Sequence, residues 1–257
     1  MNDKTFFRKH RQLLKGMPEA KRFRQNIVVS QYGNWAYQLT GKSGSSTMLS
    51  YLFELDFGCP FKVNRRDQRN IHPEFALFAV KTSGVWTNAH QLQLSFKTND
   101  FLRIALVRDP VSRVVSAFRY ICQSQTAGDE RFLNERIRLN AIVKFDWEND
   151  PDTDVGFEKF LDYIEWVMKE RPQIEWDAHW MPQYVHIVPE IYKPNLLGKL
   201  EDFDAFTVKL CARLDKPHLA PKRRVNVSSK PETPLPTDTI KRRIRDIYER
   251  DYETFGY

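Results

Sequence analysis

The sequence predicts an α/β fold, in which a parallel sheet flanked by helices is followed by a helical C-terminal half. The first observation is the apolar run at 101–107, whose length suits a strand buried in a parallel sheet. The second is a shorter strand candidate at 35–39, followed by a loop of small residues and an apolar helix start. The third is the helical spacing of apolar residues at 155–168, 203–214 and 240–255.

The loop at 40–47 reads Thr-Gly-Lys-Ser-Gly-Ser-Ser-Thr and gives the predicted fold a P-loop-like character. Glycines let the main chain turn its N–H groups toward one ligand, and the helix that follows adds partial positive charge. Lys42 supplies a full charge, and hydroxyl groups add further hydrogen-bond donors. The predicted contacts to a phosphate or sulfate group are Lys42, Ser43, Gly44, Ser45, Ser46 and Thr47. The alternative is an ordinary surface turn rich in serine and glycine.

The loop comes close to the ATP-binding pattern of Gly, four residues, then Gly-Lys-Ser/Thr. Gly41, Lys42 and Ser43 fit the end of that pattern, but Ala36 stands where its first glycine belongs. The mismatch falls on the residue that opens the loop. The loop alone therefore does not decide which anion would bind.

A second candidate anion site follows the strand at 101–107. Arg108 stands at the carboxyl end of that strand, Asp109 suits a helix N-cap, and Pro110 suits the first helical position. Ser116 lies about two turns into the helix, at 3.6 residues per turn. Ligands of open α/β sheets bind at this end of the strands. The alternative for Arg108 is a structural ion pair.

Together the two stretches resemble the sulfotransferases, specifically the carbohydrate branch called sulfotransferase family 2. The family motif Arg-Asp/Glu-Pro-x-x-Arg-x-x-Ser-Ala-Tyr/Phe-Arg matches residues 108–119 throughout. The family loop Pro-Lys-x-Gly/Ala-x-Ser/Thr-Ser/Thr matches residues 41–47, with Gly41 in place of proline. The segments at 177–183, 197–203 and 247–257 also resemble family segments, in the same order.

This resemblance implies a donor, 3′-phosphoadenosine 5′-phosphosulfate (PAPS), used without a metal. It implies that the Lys42 loop holds the 5′-phosphosulfate and that Arg108 and Ser116 hold the 3′-phosphate. The acceptor would be a hydroxyl group, with a glycan or glycolipid favoured. Transfer would be in line, and Lys42 would follow the bridging oxygen on the leaving-group side.

A general base would have to take the proton of the acceptor hydroxyl, and histidine suits this because it titrates near neutral pH. His179 lies in a segment that resembles the family, two residues after Asp177. His90 precedes the Arg108 strand at a spacing compatible with the rim of a cleft. Either histidine could instead be structural, and Glu54 is the carboxylate to consider if neither acts.

Bulk properties fit a single domain over 1–257, with a basic N-terminal arm or helix at 1–26. The formal net charge of +7 suits an anionic donor, although it would also suit nucleic acid. No apolar run reaches membrane-spanning length, and the N-terminus lacks the apolar core of a signal peptide. Golgi members of the family that the chain resembles carry an N-terminal anchor and a stem, so the resemblance implies a cytoplasmic, bacterial enzyme, unless the sequence is a trimmed piece of a longer chain.

Two other classes of function remain open at this stage. One is a P-loop kinase or NTPase that uses ATP and magnesium, for which Asp109 is the obvious carboxylate near a strand end. The other is a basic module that binds nucleic acid or another polyanion. That class leaves both anion motifs unexplained, and we find no recognised nucleic-acid motif, so we expect no nucleic-acid partner.

Overall fold

The computed structural model of the chain describes residues 1–60, 85–90, 92, 101–126, 130–219 and 236–257. The chain divides into two compact units. The first contains Met1–Arg108 and Gln183–Val227, and the second contains Asp109–Pro182 and Ser228–Tyr257. The interpretation of 1–257 as a single domain stays a prediction. The apolar residues at 75–80, a pattern typical of a short strand, lie outside the described residues.

The first unit is built on a mixed sheet, to which the described residues contribute five strands in the order β3-β1-β2-β4-β5. The strands are β1 Ile27–Ser30, β2 Trp35–Gln38, β3 Thr87–Asn88, β4 Leu102–Val107 and β5 Leu196–Lys199. Strands β2, β4 and β5 are parallel, whereas β1 is antiparallel to β2 and β3. The α/β prediction is confirmed. The sheet is mixed because the short connection at 31–34 allows β1 and β2 to pair only as a hairpin.

Helices surround this sheet and form most of the second unit. In the first unit they are α1 Asp3–His10, α2 Met17–Gln25 and α3 Ser45–Phe57. In the second they are α4 Pro110–Thr126, α5 Leu133–Val143 and α6 Asp154–Glu170. The chain then returns to the first unit with α7 Gln183–Ile187, α8 Pro189–Tyr192 and α9 Phe203–Arg213. It ends in the second unit with α10 Asp238–Ile247 and α11 Glu249–Phe255.

The N-terminal segment predicted as a basic arm or helix is the helix pair α1 and α2. Its helices are anchored rather than fully solvated, because the ring of Phe6 is completely buried and stacks on Phe23 with 5.9 Å between ring centroids. The Arg24 side chain is also buried, where its guanidinium pairs with Asp3. A buried arginine of this kind is stable only with such a partner.

The second unit packs its helices around an aromatic core that includes Phe118, Phe160 and Trp180. The helix predicted at 155–168 is confirmed as α6. The apolar pattern at 240–255 forms two helices, α10 and α11, rather than one. The chain changes direction at Tyr248, whose ring is buried and whose hydroxyl donates to the Trp180 carbonyl at 2.6 Å.

The strand register brings several loop starts to one edge of the sheet. Gln38 pairs with Ala105, and Val107 pairs with Lys199, so β2, β4 and β5 end at the same edge. Strand β3 runs in the same direction as β2, because both are antiparallel to β1. The Lys42 loop, Arg108 and His90 therefore all follow strands that end at this edge, the usual ligand-binding edge of α/β sheets. Within the described ranges, no helix combines the length and apolarity needed to cross a membrane.

Candidate functional site

The loop after β2 turns tightly before α3 begins at Ser45. Two of its residues have left-handed main-chain conformations, Lys42 with φ of 60° and Gly44 with φ of 78°. Glycine adopts this region freely, whereas a lysine there costs about 1–2 kcal/mol. Strain of this kind persists where surrounding contacts enforce it and is concentrated at functional sites. The strained residue is Lys42, which is predicted from the sequence to provide the positive charge of the loop.

Two of the predicted anion-binding serines hold the loop in shape. The Ser45 hydroxyl donates to the Thr40 carbonyl at 2.6 Å and accepts from the Thr40 N–H at 3.3 Å. The Ser43 hydroxyl donates to the side-chain oxygen of Gln183 at 2.9 Å. Both serines are buried, whereas Ser46 and Thr47 are half-buried in the first turn of α3. The first N–H groups of a helix lack intrahelical acceptors, so this turn is suited to bind an anion.

Arg108 follows β4 and reaches back to the same loop. Its Nη1 atom donates to the Lys42 carbonyl at 3.3 Å, and its side chain is half-buried. The structure therefore brings together two cationic residues that lie 66 positions apart and that the sequence assigns to two ends of one donor. In this contact the guanidinium of Arg108 meets a main-chain carbonyl group.

Gln183, the first residue of α7, connects these two segments. Its Oε1 atom accepts from the Ser43 hydroxyl and from the Arg108 main-chain N–H, each at 2.9 Å. Its Nε2 atom donates to the Arg108 carbonyl, also at 2.9 Å. The side chain is fully buried. Gln183 ends the segment at 177–183 that resembles the family, but no role for it was predicted from the sequence.

In the second unit, Asp109 caps helix α4. Its Oδ2 atom accepts from the Ser112 N–H at 2.8 Å, which is the geometry of an N-cap and agrees with the sequence-based interpretation. Ser116 lies in the same helix and is half-buried. Its predicted part in holding a 3′-phosphate stays a prediction.

His179 is paired with the carboxylate of Asp177, also in the second unit. Its Nδ1 atom lies 2.6 Å from Asp177 Oδ1, an oxygen that also accepts from the His179 main-chain N–H at 2.8 Å. The ring lies near Tyr120 and Phe132, with centroid distances of 5.2 and 5.0 Å. The side chain is 18% exposed. A carboxylate that contacts Nδ1 fixes the orientation of the imidazole ring.

The segment that carries this pair is held by residues from two other parts of the second unit. The buried Arg113 donates to the Ala178 carbonyl at 3.0 Å, and Tyr248 donates to the Trp180 carbonyl on the other side of His179. Burial lowers the pKa of Arg113, while the charges of Asp251 and Asp177 act in the opposite direction. Arg113 and Tyr248 thus support the His179 segment, a role that was not predicted from the sequence.

A second carboxyl group, Glu135, lies in the electrostatic environment of Asp177. Burial raises the pKa of Glu135, and the negative charge of Asp177 raises it further. Tyr163 and Arg138 act in the opposite direction by donating hydrogen bonds to the Glu135 carboxylate. The net result is a pKa of Glu135 above its ordinary value, with burial as the largest cause.

His90 follows β3 in the first unit and contacts the N-terminal helix. Its Nδ1 atom lies 3.0 Å from an oxygen of Asp3, and that carboxylate is shared with Arg24. This contact ties the end of β3 to α1. Catalysis by His90 stays a prediction.

Glu54 is poorly placed to serve the Lys42 loop. It lies nine residues beyond Ser45 on α3, and at 1.5 Å per residue this is about 14 Å along the helix axis. The distance argues against Glu54 as a base that works beside the loop.

A model of the sulfotransferase family matches residues 25–257, nearly the whole chain. The chain belongs to the sulfotransferase family. No curated protein and no solved structure gives a significant match to it. The resemblance stated from the sequence is therefore confirmed at the level of the family.

The matched region contains the two stretches predicted to bind anions and the two candidate histidines, His90 and His179, and it begins after most of the N-terminal helix pair. Family membership implies a sulfuryl donor and an acceptor that carries a hydroxyl group. In the part of the chain that the structure describes, no group of three or more His, Cys, Asp or Glu side chains could hold a metal ion.

Proposed function

We propose that this sulfotransferase moves the sulfuryl group of PAPS to a hydroxyl group of a carbohydrate acceptor. The observation that carries the proposal is the meeting of the Lys42 loop and Arg108 at one edge of the sheet. Both segments are fixed by the buried Gln183 amide. A donor with a charged group at each end of an adenosine needs two such cationic segments.

The roles within this proposal follow from the chemistry of each segment. The 5′-phosphosulfate is assigned to Lys42 and to the first turn of α3, with Ser46 and Thr47 as side-chain donors and Gly44 as the turn residue. The 3′-phosphate is assigned to Arg108, because a guanidinium forms strong, charge-assisted hydrogen bonds with phosphate. Ser116 is assigned to the same phosphate only because residues 108–119 match the family motif.

The reaction needs little covalent work from the protein, by analogy with phosphoryl transfer. The acceptor oxygen forms a bond to sulfur while the bond from sulfur to the bridging 5′-phosphate oxygen breaks. Adenosine 3′,5′-bisphosphate leaves, and the base takes the hydroxyl proton. Lys42 neutralises the charge that grows on the bridging oxygen, and His179 is the preferred base because Asp177 holds its ring.

The carbohydrate class of acceptor rests on the sequence resemblance to the carbohydrate branch of the family. It is tested by incubating the protein with labelled PAPS and a panel of glycans and glycolipids, followed by mass spectrometry. A mass increase of about 80 Da on a glycan, the net addition of one SO₃ unit, supports the class, whereas transfer only to non-carbohydrate hydroxyl groups contradicts it.

Donor binding gives the first prediction. Adenosine 3′,5′-bisphosphate should raise the melting temperature without added metal, because a ligand that binds only the folded state stabilises it by mass action. Arg108→Ala should reduce this shift, since it removes the proposed partner of the 3′-phosphate. The measurement is thermal denaturation with the bisphosphate or with magnesium and ATP.

Stabilisation by magnesium–ATP but not by the bisphosphate would favour the kinase alternative and contradict the proposal. That alternative has less structural support, because the Asp109 carboxylate that it would need for magnesium caps helix α4. It would also leave the match between residues 108–119 and the sulfotransferase motif without a function.

A second prediction concerns the turn residue Gly44. Gly44→Ala should lower the free energy of unfolding by about 1–2 kcal/mol, because alanine is strained at a φ of 78°. The added methyl group would also lie 2.6 Å from the Leu200 side chain and displace the loop. We therefore expect weaker binding of adenosine 3′,5′-bisphosphate, measured by calorimetry.

Gly58 offers a matched control at the other end of α3. Its φ of 66° imposes a similar strain on alanine, but no atom lies within 4 Å of the added methyl group. Gly58→Ala should lose comparable stability and keep the affinity of the parent. If Gly44→Ala and Gly58→Ala bind adenosine 3′,5′-bisphosphate with equal affinity, the shape of the Gly44 turn does not affect donor binding.

A further inference from the structure

We propose that Gln183 is a positioning residue that couples the two phosphate-binding segments, so that each phosphate of the donor strengthens the hold on the other. This inference rests on the proposed function and deepens it. Gln183 itself is assigned no contact with substrate. It acts through Ser43 in the loop after β2 and through the main chain of Arg108 after β4.

The side-chain amide is chemically matched to both partners. Its oxygen has two acceptor positions, and these meet two donors, the Ser43 hydroxyl and the Arg108 N–H, each at 2.9 Å. Its NH₂ group donates to the Arg108 carbonyl at the same distance. A carboxylate could accept both bonds but could not donate the third, and a hydrocarbon side chain could make none of them.

Complete burial of the Gln183 side chain protects these hydrogen bonds from competition by water. Gln183 is 0% exposed, so water does not compete for the amide, and Ser43 is equally buried. Loss of the amide would leave the buried Ser43 hydroxyl and the part-buried main-chain groups of Arg108 without this partner, which is costly where water is excluded. These bonds therefore hold the Lys42 loop and the end of β4 in one arrangement, although Lys42 and Arg108 are 66 positions apart in the sequence.

The bond from Arg108 Nη1 to the Lys42 carbonyl also links the two segments. That link involves the guanidinium, which must turn to a phosphate when donor binds. The Gln183 bonds go to the Arg108 main chain and can persist during this change. Gln183 is thus the connection that survives in the bound state, when the relative position of the two phosphate groups matters.

The measurable consequence is a coupling between the two phosphates. The affinities to measure are those for adenosine, its 5′-phosphate, its 3′-phosphate and its 3′,5′-bisphosphate. They show by what factor the 3′-phosphate increases the affinity when the 5′-phosphate is absent and when it is present. The ratio of these factors is the coupling, and it is reciprocal. Weak ligands are measured by competition with labelled bisphosphate. We expect Gln183→Met to lower the coupling about tenfold, within the usual range for coupled sites.

Two further variants separate this role from a loss of stability. Gln183→Glu keeps the acceptor oxygen but lacks the donor to Arg108, and it too should lower the coupling. Gln38→Met is the matched control, because Gln38 is also 0% exposed and donates at 3.2 Å to the His186 carbonyl in the same helix α7. It should lower the melting temperature and leave the coupling at the parental value. If Gln183→Met does not fold, Ser43→Ala removes the loop half of the connection and should lower the coupling.

The outcomes distinguish this inference from the proposed function. If the parent binds none of the four ligands, the proposed function fails and the inference fails with it. If the parent binds the bisphosphate and Gln183→Met keeps the parental coupling, the inference alone is overturned. An equal loss of coupling in Gln38→Met would also overturn it, since any buried amide would then have the same effect.

Discussion

Lys42→Ala should lower the rate of sulfuryl transfer by about 10²–10³-fold, the usual effect of removing one group that stabilises charge in a transition state. The bond to the bridging 5′-phosphate oxygen breaks during transfer, so the negative charge facing Lys42 increases as the reaction proceeds. An interaction that strengthens in this way acts on the rate more than on ground-state binding. We therefore expect a smaller loss of affinity for adenosine 3′,5′-bisphosphate than of rate.

The experiment is a single-turnover measurement at saturating PAPS, with the acceptor found in the glycan panel. Lys42→Arg keeps the charge and should retain more activity than Lys42→Ala. Lys169→Ala is the control, because Lys169 is 82% exposed and its removal changes the net charge by the same amount. A parental rate in Lys42→Ala would remove this residue from the mechanism, while a loss of affinity alone would limit it to donor binding.

Local sequence was sufficient to predict the elements that form the proposed donor side of the site. The apolar runs at β2 and β4 specify buried strands, and the Asp109-Pro110 pair specifies where α4 begins, because capping depends on adjacent residues. The turn at 40–44 was expected from its glycines. Gly44 has the left-handed conformation that its lack of a Cβ atom permits.

The contacts that organise the site could not be predicted in this way. Gln183 bonds to Arg108 across 75 positions and to Ser43 across 140, and nothing in the local sequence indicates which amide will be buried between them. The pairing of His90 with Asp3 was missed for the same reason, since it depends on the packing of α1 through Phe6. Strand direction likewise depended on the short β1–β2 connection rather than on the apolar pattern.

The two histidines have different structural settings, although each has a carboxylate partner. Asp3 divides its charge between His90 and the buried Arg24, and this cluster fastens an N-terminal helix to the sheet. Asp177 instead holds both the ring and the main-chain N–H of His179. Around it, Arg113 and Tyr248 fix the neighbouring carbonyl groups of Ala178 and Trp180. This support favours His179 as the base, because a base must be held in one orientation to act efficiently.

His179→Ala should lower the single-turnover rate by about 10²–10⁴-fold, the range for loss of a general base. Donor affinity and the circular dichroism spectrum should stay close to those of the parent. Free imidazole should restore part of the rate, because it can enter the space of the lost ring and take the proton. A histidine with only a structural role would not give this rescue.

Asp177→Asn should also lower the rate with donor affinity intact, because the amide cannot provide the negative charge that stabilises a protonated ring. His218→Ala is the matched control, since His218 is exposed and contacts Thr207 at 3.3 Å. His90→Ala is measured beside it. We expect only one of the two candidate histidines to reduce turnover while folding and donor binding remain intact, and imidazole rescue identifies which one. Parental rates in both variants would exclude both histidines, and the position of Glu54 along α3 would then direct the search to other carboxylates.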